Sequence, residues 1–320
     1  MIPTIHLHGA DIDATVQNLR DACENVGFFY LESHGLSTDF MDEILVSSKE
    51  LFDLPLEEKM SLSDHKMSRG YTAMGEETLD VENQVVGDTK EGFYIGQDIG
   101  PDNVLYNPEK LSGPNVWPGE KGVCSMKDTV RWKEIMQKYF VKCSTIGFRL
   151  TQLLALSLDL EESFFDSHFE INPLAALRLL HYSAQKSSPE DGIFACGAHS
   201  DYGMLTLLLT DSTAGLEIRT LDKKWIPVPP KKGAFIVNLG DMLERWTNGK
   251  YLSTMHRVIS NGESERYSIP FFYEPNFDTV VSVLDNCIDE NNPPKYSTTT
   301  SGKFLLSKYH QTHADFKPDQ

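Results

Sequence analysis

The spacing of hydrophobic residues divides the chain into a helical first part and a later part rich in strands. Residues 3–7 alternate apolar and polar side chains as a short strand does. Asp11 or Asp13 can cap the amphipathic helix that follows, and Ser37 can cap a second one. Between these helices, residues 27–33 are aromatic enough to form a strand.

The second part of the chain changes from helical to alternating periodicity. Residues 125–158 form one long amphipathic pattern, which predicts a bracing helix. Short β-prone runs separated by Gly and Pro turns follow at 175–182, 193–197, 203–210, 215–219, 233–238, 254–259 and 266–273. Two antiparallel sheets in a jelly roll fit this series, so we predict a mainly β fold with flanking α-helices. A last helical pattern covers 301–310.

Residues 65–122 show no sustained periodicity and are rich in Gly, Pro, Asn and Asp. A long irregular stretch in a compact protein usually either covers a site or is disordered. We predict a lid over a pocket, in which 69–71, 75–78 and 90–94 are the ordered pieces.

Charge and cysteine usage exclude several classes of protein. The chain has 29 basic and 47 acidic residues, a formal net charge of −18. Nucleic acids and anionic membranes attract positive charge, so neither is expected as a partner. The five cysteines are scattered without a C-x-x-C pair, which is typical of reduced thiols inside cells. With no signal-peptide pattern and no membrane-spanning apolar run, we expect a cytoplasmic protein.

Two histidines and an aspartate carry the pattern of a metal site. His199 and Asp201 are two residues apart in an extended segment, so their side chains point to the same face. His256 lies in a later β-prone run. Two imidazoles and one carboxylate that leave three positions open are typical of non-haem Fe(II) oxygenases.

A basic residue and a hydroxyl follow on the next strand. Arg266 and Ser268 share one face of the run 266–273. A guanidinium beside a hydroxyl can hold a carboxylate by charge-assisted hydrogen bonds. The combination of a metal triad with a neighbouring carboxylate socket indicates an enzyme site.

These motifs resemble the 2-oxoglutarate/Fe(II)-dependent dioxygenases, in the subgroup of isopenicillin N synthase, the plant flavonoid and gibberellin oxidases and the ethylene-forming enzyme. Further similar segments are 27–30, 34–35, 69–71, 225–228, 238–241 and 248–250, so the resemblance covers nearly the whole chain. It implies a double-stranded β-helix core with a helical N-terminal region. The implied division is 1–122 with the lid, 123–170 bracing helices, 171–280 jelly-roll core and 281–320 C-terminal extension.

The resemblance also implies a reaction and roles for residues. His199, Asp201 and His256 would bind Fe(II), while Arg266, Ser268 and Tyr182 would contact 2-oxoglutarate. Dioxygen would be the oxidant and ascorbate a supporting reductant. The products would be succinate, carbon dioxide and a hydroxylated, desaturated or demethylated small-molecule metabolite.

The chain departs from the family pattern on the strand that carries Tyr182. The family commonly has Asn-Tyr-Tyr-Pro here, whereas this chain has Leu180 in place of the Asn and Ser183 in place of the Pro. One polar contact with the cosubstrate is therefore expected to be absent. Arg178 shares this face, and because a buried guanidinium needs an anionic partner, it is a second candidate for the cosubstrate. A structural Asp or Glu could equally be its partner.

Substrate contacts are expected mainly from the lid. By resemblance to the ethylene-forming enzyme, Glu77 is a candidate carboxylate for a cationic substrate, and Arg69 and Tyr71 in the same stretch are further candidate substrate contacts. Phe93 and Phe272 are candidate aromatic walls.

Two other functions fit part of the pattern. An oxidase related to isopenicillin N synthase or aminocyclopropane-carboxylate oxidase would use the same triad without 2-oxoglutarate. A jelly-roll protein could also bind a ligand without turnover, although all three metal ligands are retained. Tyr182 with Arg266 and Ser268 favours the cosubstrate-using enzyme, and we expect it to be a monomer.

Overall fold

The computed structural model of the protein describes residues 1–64, 68–120 and 124–312. The helices in this part of the chain are α1 (Ile12–Asn25), α2 (Thr38–Phe52), α3 (Leu56–Met60), α4 (Thr129–Ser157), α5 (Asp241–Trp246) and α6 (Ser301–Thr312). The strands are β1 (Thr4–His6), β2 (Phe28–Glu32), β3 (Ser63–Asp64), β4 (Arg69–Thr72), β5 (Lys90–Gly96), β6 (Ala176–Tyr182), β7 (Cys196–His199), β8 (Leu205–Thr210), β9 (Leu216–Arg219), β10 (Trp225–Pro227), β11 (Phe235–Leu239), β12 (His256–Val258), β13 (Arg266–Tyr273), β14 (Val280–Val281) and β15 (Thr299–Thr300).

Two sheets form the core. The major sheet has the strand order β1-β2-β11-β8-β13-β6-β5-β4-β3, and the minor sheet has the order β10-β9-β12-β7. Tyr182 and Ile236 of the major sheet pack with Ile218 and Val258 of the minor sheet in one buried cluster, so the sheets face each other. This is the predicted jelly roll, with flanking helices around it.

The helices cover the outer face of the major sheet. Trp132 and Leu150 of α4 belong to the same buried cluster as Leu179 and Phe271, whose side chains point away from the minor sheet. Asp11 and Ser37 cap α1 and α2 by accepting backbone N–H groups, as their positions in the sequence predict. In the described ranges, no helix is both long and apolar enough to cross a membrane.

Part of the predicted lid belongs to the major sheet. Its ordered pieces 69–71 and 90–94 lie in β4 and β5, which extend the sheet beside β6, while β1 and β2 complete the opposite edge. The inward-facing residues of β5 include Lys90 and Gly92, which pair with Tyr182 and Leu180 of β6. When the inward-facing positions of a strand are a charged residue and a glycine, apolar and polar residues do not alternate in the usual way. The hydrophobic periodicity of the sequence therefore does not predict this strand. Residues 65–67 and 121–122 of the predicted lid lie outside the described residues.

Candidate active site

Three potential metal ligands meet where β7 and β12 pair. His199, the last residue of β7, lies opposite His256, the first residue of β12. Oδ1 of Asp201 lies 3.8 Å from Nε2 of His199 and 3.7 Å from Nε2 of His256. The candidate ligand atoms all lie within 4.8 Å of one another. The predicted triad is thus brought together, and its donor set suits Fe(II) with open positions for other ligands.

Backbone carbonyls orient both imidazoles. Nδ1 of His199 donates to the carbonyl of Gly197 over 2.8 Å, and Nδ1 of His256 donates to the carbonyl of Thr254 over 3.1 Å. Because Nδ1 carries the proton, the lone pair of Nε2 is left for a metal. Burial, and then the neighbouring His199, lower the pKa of His256 to about 4, so its imidazole is neutral near pH 7.

Two donors hold the carboxylate of Asp201. Its Oδ2 accepts from Oγ1 of Thr206 at 2.5 Å and from Nδ2 of Asn238 at 2.7 Å, which leaves Oδ1 on the side of the imidazoles. Burial acts to raise the pKa of Asp201, but His256, His199 and these two hydrogen bonds outweigh it and lower the pKa. Asp201 is therefore a charged carboxylate, available as a metal ligand.

Asn238→Ala is expected to weaken Fe(II) binding by about 10–100-fold, because outer hydrogen-bond partners orient the metal ligands. Calorimetric titration of the apo-protein with Fe(II) under argon measures the affinity. Asn83→Ala, on the exposed surface, is the control. An affinity equal to that of the wild type would show that Thr206 alone is enough to orient Asp201.

Arg266, Ser268 and Tyr182 lie together on the inner face of the major sheet. Arg266 pairs with Tyr182 across β13 and β6, and Ser268 pairs with Leu180. The guanidinium of Arg266 is 4.9 Å from the centre of the Tyr182 ring, and the residue is 5% exposed. Among the described residues, its Nε and Nη1 have no hydrogen-bond partner. Since leaving these donors unpaired is costly, they are suited to an anion that enters the site.

Arg178 finds its anionic partner within the protein. Its Nη2 donates to Oε1 of Glu77 at 2.7 Å, and Nζ of Lys90 lies 3.1 Å from Oε2 of the same carboxylate. Lys90 also pairs with Asp88, whose Oδ1 accepts the backbone N–H of Gly197. All four charged side chains are buried, and we call them the buried ion cluster. The sequence leaves two partners open for Arg178, the cosubstrate and an acidic residue of the protein. The structure pairs it with an acidic residue, Glu77.

A cavity extends from the segment 199–203 to helix α6. Its wall includes four of the predicted substrate residues: Arg69, Tyr71, Glu77 and Phe272. The Tyr71 hydroxyl donates to Glu91 at 2.5 Å, and the Glu77 carboxylate is held by Arg178 and Lys90. Both groups therefore have partners in the protein, and contact with a substrate stays a prediction for all four residues.

Phe93 does not line the cavity, so its assignment as an aromatic wall is wrong. It is fully buried on the outer face of β5, with its ring centre 5.8 Å from that of Trp132 in α4. Successive residues of a strand point to opposite faces, so the neighbouring Tyr94 lines the cavity instead. The Tyr94 ring lies 4.4 Å from the guanidinium carbon of Arg178.

Several residues of the cavity wall are not predicted from the sequence: Tyr94, Gln97, Asn172, Glu274 and Tyr309. Glu274 lies two residues after Phe272, just past the end of β13, so the two side chains point to the same face. Strand alternation in the sequence could therefore have predicted Glu274 as a cavity residue. Tyr309 carries no local signal, since only the docking of α6 brings it to the cavity. Asn238 lies in one of the segments similar to the family but has no predicted role.

Two family models match the chain. One is described as the non-haem dioxygenase in morphine synthesis N-terminal and matches residues 2–120; the 2OG-Fe(II) oxygenase superfamily matches residues 174–275. The 2-oxoglutarate-Fe(II) type oxidoreductase hxnY of Emericella nidulans is 36% identical over 310 residues, 95% of this chain and 86% of that protein.

Two solved structures share the architecture. A Neurospora crassa protein, solved in complex with alpha-KG and 5-formyluracil, superposes with a TM-score of 0.81 at 29% identity, covering 96% of this chain and 95% of that one. A 2OG-Fe(II) oxygenase family protein from Caulobacter crescentus gives 0.83 at 30% identity, with 97% and 98% covered.

A jelly roll with a His-Asp-His cluster and a buried arginine defines a non-haem iron oxygenase. The chain belongs to the 2-oxoglutarate/Fe(II)-dependent oxygenase family. It is an oxidoreductase, a dioxygenase that uses Fe(II) and 2-oxoglutarate and acts on small molecules.

Proposed function

We propose that His199, Asp201 and His256 bind the Fe(II) of this enzyme. Two neutral imidazoles with free Nε2 atoms and one charged carboxylate supply the ligands that Fe(II) accepts. The hydrogen bonds from Nδ1 and to Oδ2 hold these ligands in place before the metal arrives, which lowers the cost of binding it.

We propose that Arg266, with Ser268 and Tyr182, binds the distal carboxylate of 2-oxoglutarate. The observation that carries this proposal is the buried guanidinium of Arg266, whose Nε and Nη1 lack partners among the described residues. A planar guanidinium can pair with a carboxylate through two parallel hydrogen bonds. Arg178 is not proposed for this role, because Glu77 already neutralises it.

When bound, iron and 2-oxoglutarate supply the oxidative chemistry, in which dioxygen converts the keto acid to succinate and carbon dioxide and a C–H bond is oxidised. The residues of the chain bind and orient the reactants. Phe272 and Leu174 contribute apolar surface to the cavity wall, and polar residues on the same wall, such as Arg69 and Gln97, can orient a substrate. Which C–H bond lies nearest the triad decides between hydroxylation, desaturation and demethylation.

Arg266→Gln is expected to raise the Kd of 2-oxoglutarate at least ~10-fold, since a hydrogen bond to a charged group contributes about 1.5–3 kcal/mol. Anaerobic titration of the Fe(II)-loaded protein, followed by the visible charge-transfer band, measures this affinity. Arg219→Gln on the exposed end of β9 is the matched control. A wild-type protein that binds iron but shows no band with 2-oxoglutarate would favour an oxidase that does not use it.

We also propose that the substrate is a free small metabolite in the cytoplasm. The net charge of −18 disfavours a nucleic-acid partner. All five cysteines are free, which suits a reducing compartment.

A further inference from the structure

We propose that Glu274 is the residue of the cavity that recognises the substrate, by accepting a hydrogen bond from an N–H or O–H group next to the oxidised C–H bond. This inference rests on the proposed function, since it places the substrate beside the triad. Glu274 directly follows β13, is 4% exposed and lines the cavity together with Asp201 and Tyr202.

The partners of Glu274 leave one of its oxygens for a ligand. Oε2 accepts the backbone N–H of Met204. Among the residues that the structure describes, Oε1 has no hydrogen bond and no basic side chain forms an ion pair with this carboxyl. Glu77, the other carboxylate considered for the substrate, is instead held by Arg178 and Lys90. Glu274 is therefore better suited to a substrate donor than Glu77.

The backbone near the triad makes room for this carboxyl. A Cβ atom on Gly203 would collide with both carboxyl oxygens of Glu274, so glycine allows the acid to approach the 201–204 segment. That segment begins with Asp201, one of the three residues that we propose bind iron. A substrate group bound to Glu274 is accordingly held close to the ligands that we propose for iron.

Burial without a basic partner has a cost that a ligand can offset. Burial raises the pKa of Glu274 to about 8, with a smaller rise from Asp201 and an opposing contribution from the Met204 N–H. Without a ligand, Glu274 is therefore mostly protonated near pH 7 and mostly ionised above pH 8. An N–H or O–H donor from the substrate would stabilise the carboxylate form and so favour its ionisation.

Aromatic side chains indicate the shape of the ligand. The rings of Tyr202 and Tyr309 are 6.2 Å apart in an edge-to-face arrangement, and Phe272 lies on the same cavity wall. Such walls suit a planar ring. The substrate class that we infer is therefore a small planar ring that bears an N–H or O–H group. The 5-formyluracil in the Neurospora crassa complex belongs to this class.

The test compares paired ligands that differ only in the donor. At about pH 8.5, above the pKa of about 8 for Glu274, holoenzyme with Fe(II) and 2-oxoglutarate is titrated anaerobically with thymine, uracil, indole and phenol, and with their N- or O-methylated counterparts. The shift of the charge-transfer band reports binding, and succinate release in air reports turnover. We expect at least one donor ligand to bind ~10-fold or more tightly than its methylated counterpart, as expected for a lost hydrogen bond to a charged group.

Glu274→Gln supplies the decisive comparison. Its amide oxygen must face the Met204 N–H, so the amide NH₂ presents a donor to the cavity in place of an acceptor. In this variant the donor ligand and its methylated counterpart should bind with about equal affinity, or the methylated one more tightly. The Kd of 2-oxoglutarate and the thermal unfolding midpoint should stay unchanged. Glu82→Gln on the exposed surface is the control.

Glu274→Ala is measured as well, so that the conclusion does not depend on one variant. A donor preference that survives in both variants would overturn the proposal, and so would a wild-type holoenzyme that binds no member of the panel. Absence of the charge-transfer band before any ligand is added would instead count against the proposed 2-oxoglutarate site.

Discussion

Replacement of His256 by alanine is expected to lower turnover at least ~1000-fold, a loss of about 4 kcal/mol or more in transition-state stabilisation. The variant keeps one imidazole and one carboxylate, which do not complete the triad that non-haem Fe(II) requires. Nε2 of His256 lies 3.7 Å from Oδ1 of Asp201, so its removal opens one whole side of the cluster. His199→Ala and Asp201→Asn are expected to behave in the same way.

The measurement combines iron content with succinate release. The amount of iron bound after dialysis against limiting Fe(II) should fall together with turnover. The secondary-structure content measured by circular dichroism should be unchanged, because the His-Asp-His triad lies at strand ends. His8→Ala, which removes an exposed imidazole, is the control. Full iron content and activity in His256→Ala would refute the metal site.

Glu77→Gln is expected to destabilise the protein by about 3–5 kcal/mol, because it removes one partner from a buried charge pair. In the wild type, Glu77 and Asp88 balance Arg178 and Lys90. The amide would leave one positive charge uncompensated at a site where all four side chains are buried. Urea denaturation measures the loss as a change in the free energy of unfolding.

The matched control lies in the same loop. Glu82→Gln makes the same chemical change on the exposed surface and should alter the free energy of unfolding by less than about 0.5 kcal/mol. The double variant Glu77→Gln/Arg178→Met restores the charge balance, so it should recover part of the stability lost in Glu77→Gln. If the double variant instead loses as much unfolding free energy as the two single variants added together, the residues of the buried ion cluster do not act as a unit.

Much of the site can be predicted because its signals are local. In an extended strand, two residues of separation are enough to place His199 and Asp201 on one face, and Arg266 and Ser268 on another. The roles of Arg266, Ser268 and Tyr182 remain proposals, but the structure does bring these side chains together. Helix caps at Asp11 and Ser37 are equally local.

The predictions that the structure corrects depend on how strands pair, which local sequence patterns do not reveal. The segment 90–94 is predicted to be ordered but not to be a strand of the major sheet, because Lys90 faces inward where an apolar residue is usual. Glu77 and Asp88 neutralise Lys90 in that position. Phe93 is predicted to line the cavity because it is aromatic, but its residue type does not reveal on which face of the strand its side chain lies. Once β5 pairs with β6 in a given register, the face is decided.

From the sequence alone, alternation and spacing predict the jelly-roll class and the candidate metal ligands, since both act over a few residues, and the resemblance of the motifs points to the family. The folded structure was needed to show that Glu77 neutralises Arg178, that Arg266 keeps unpartnered donors among the described residues, and that Glu274 lines the cavity. These outcomes depend on which segments the fold brings together: Glu77 lies in the loop between β4 and β5, whereas Arg178 lies on β6. Strand order and register decide which side chains become neighbours. They therefore decide which buried charged groups find a partner and which are left with the free-energy cost of burial.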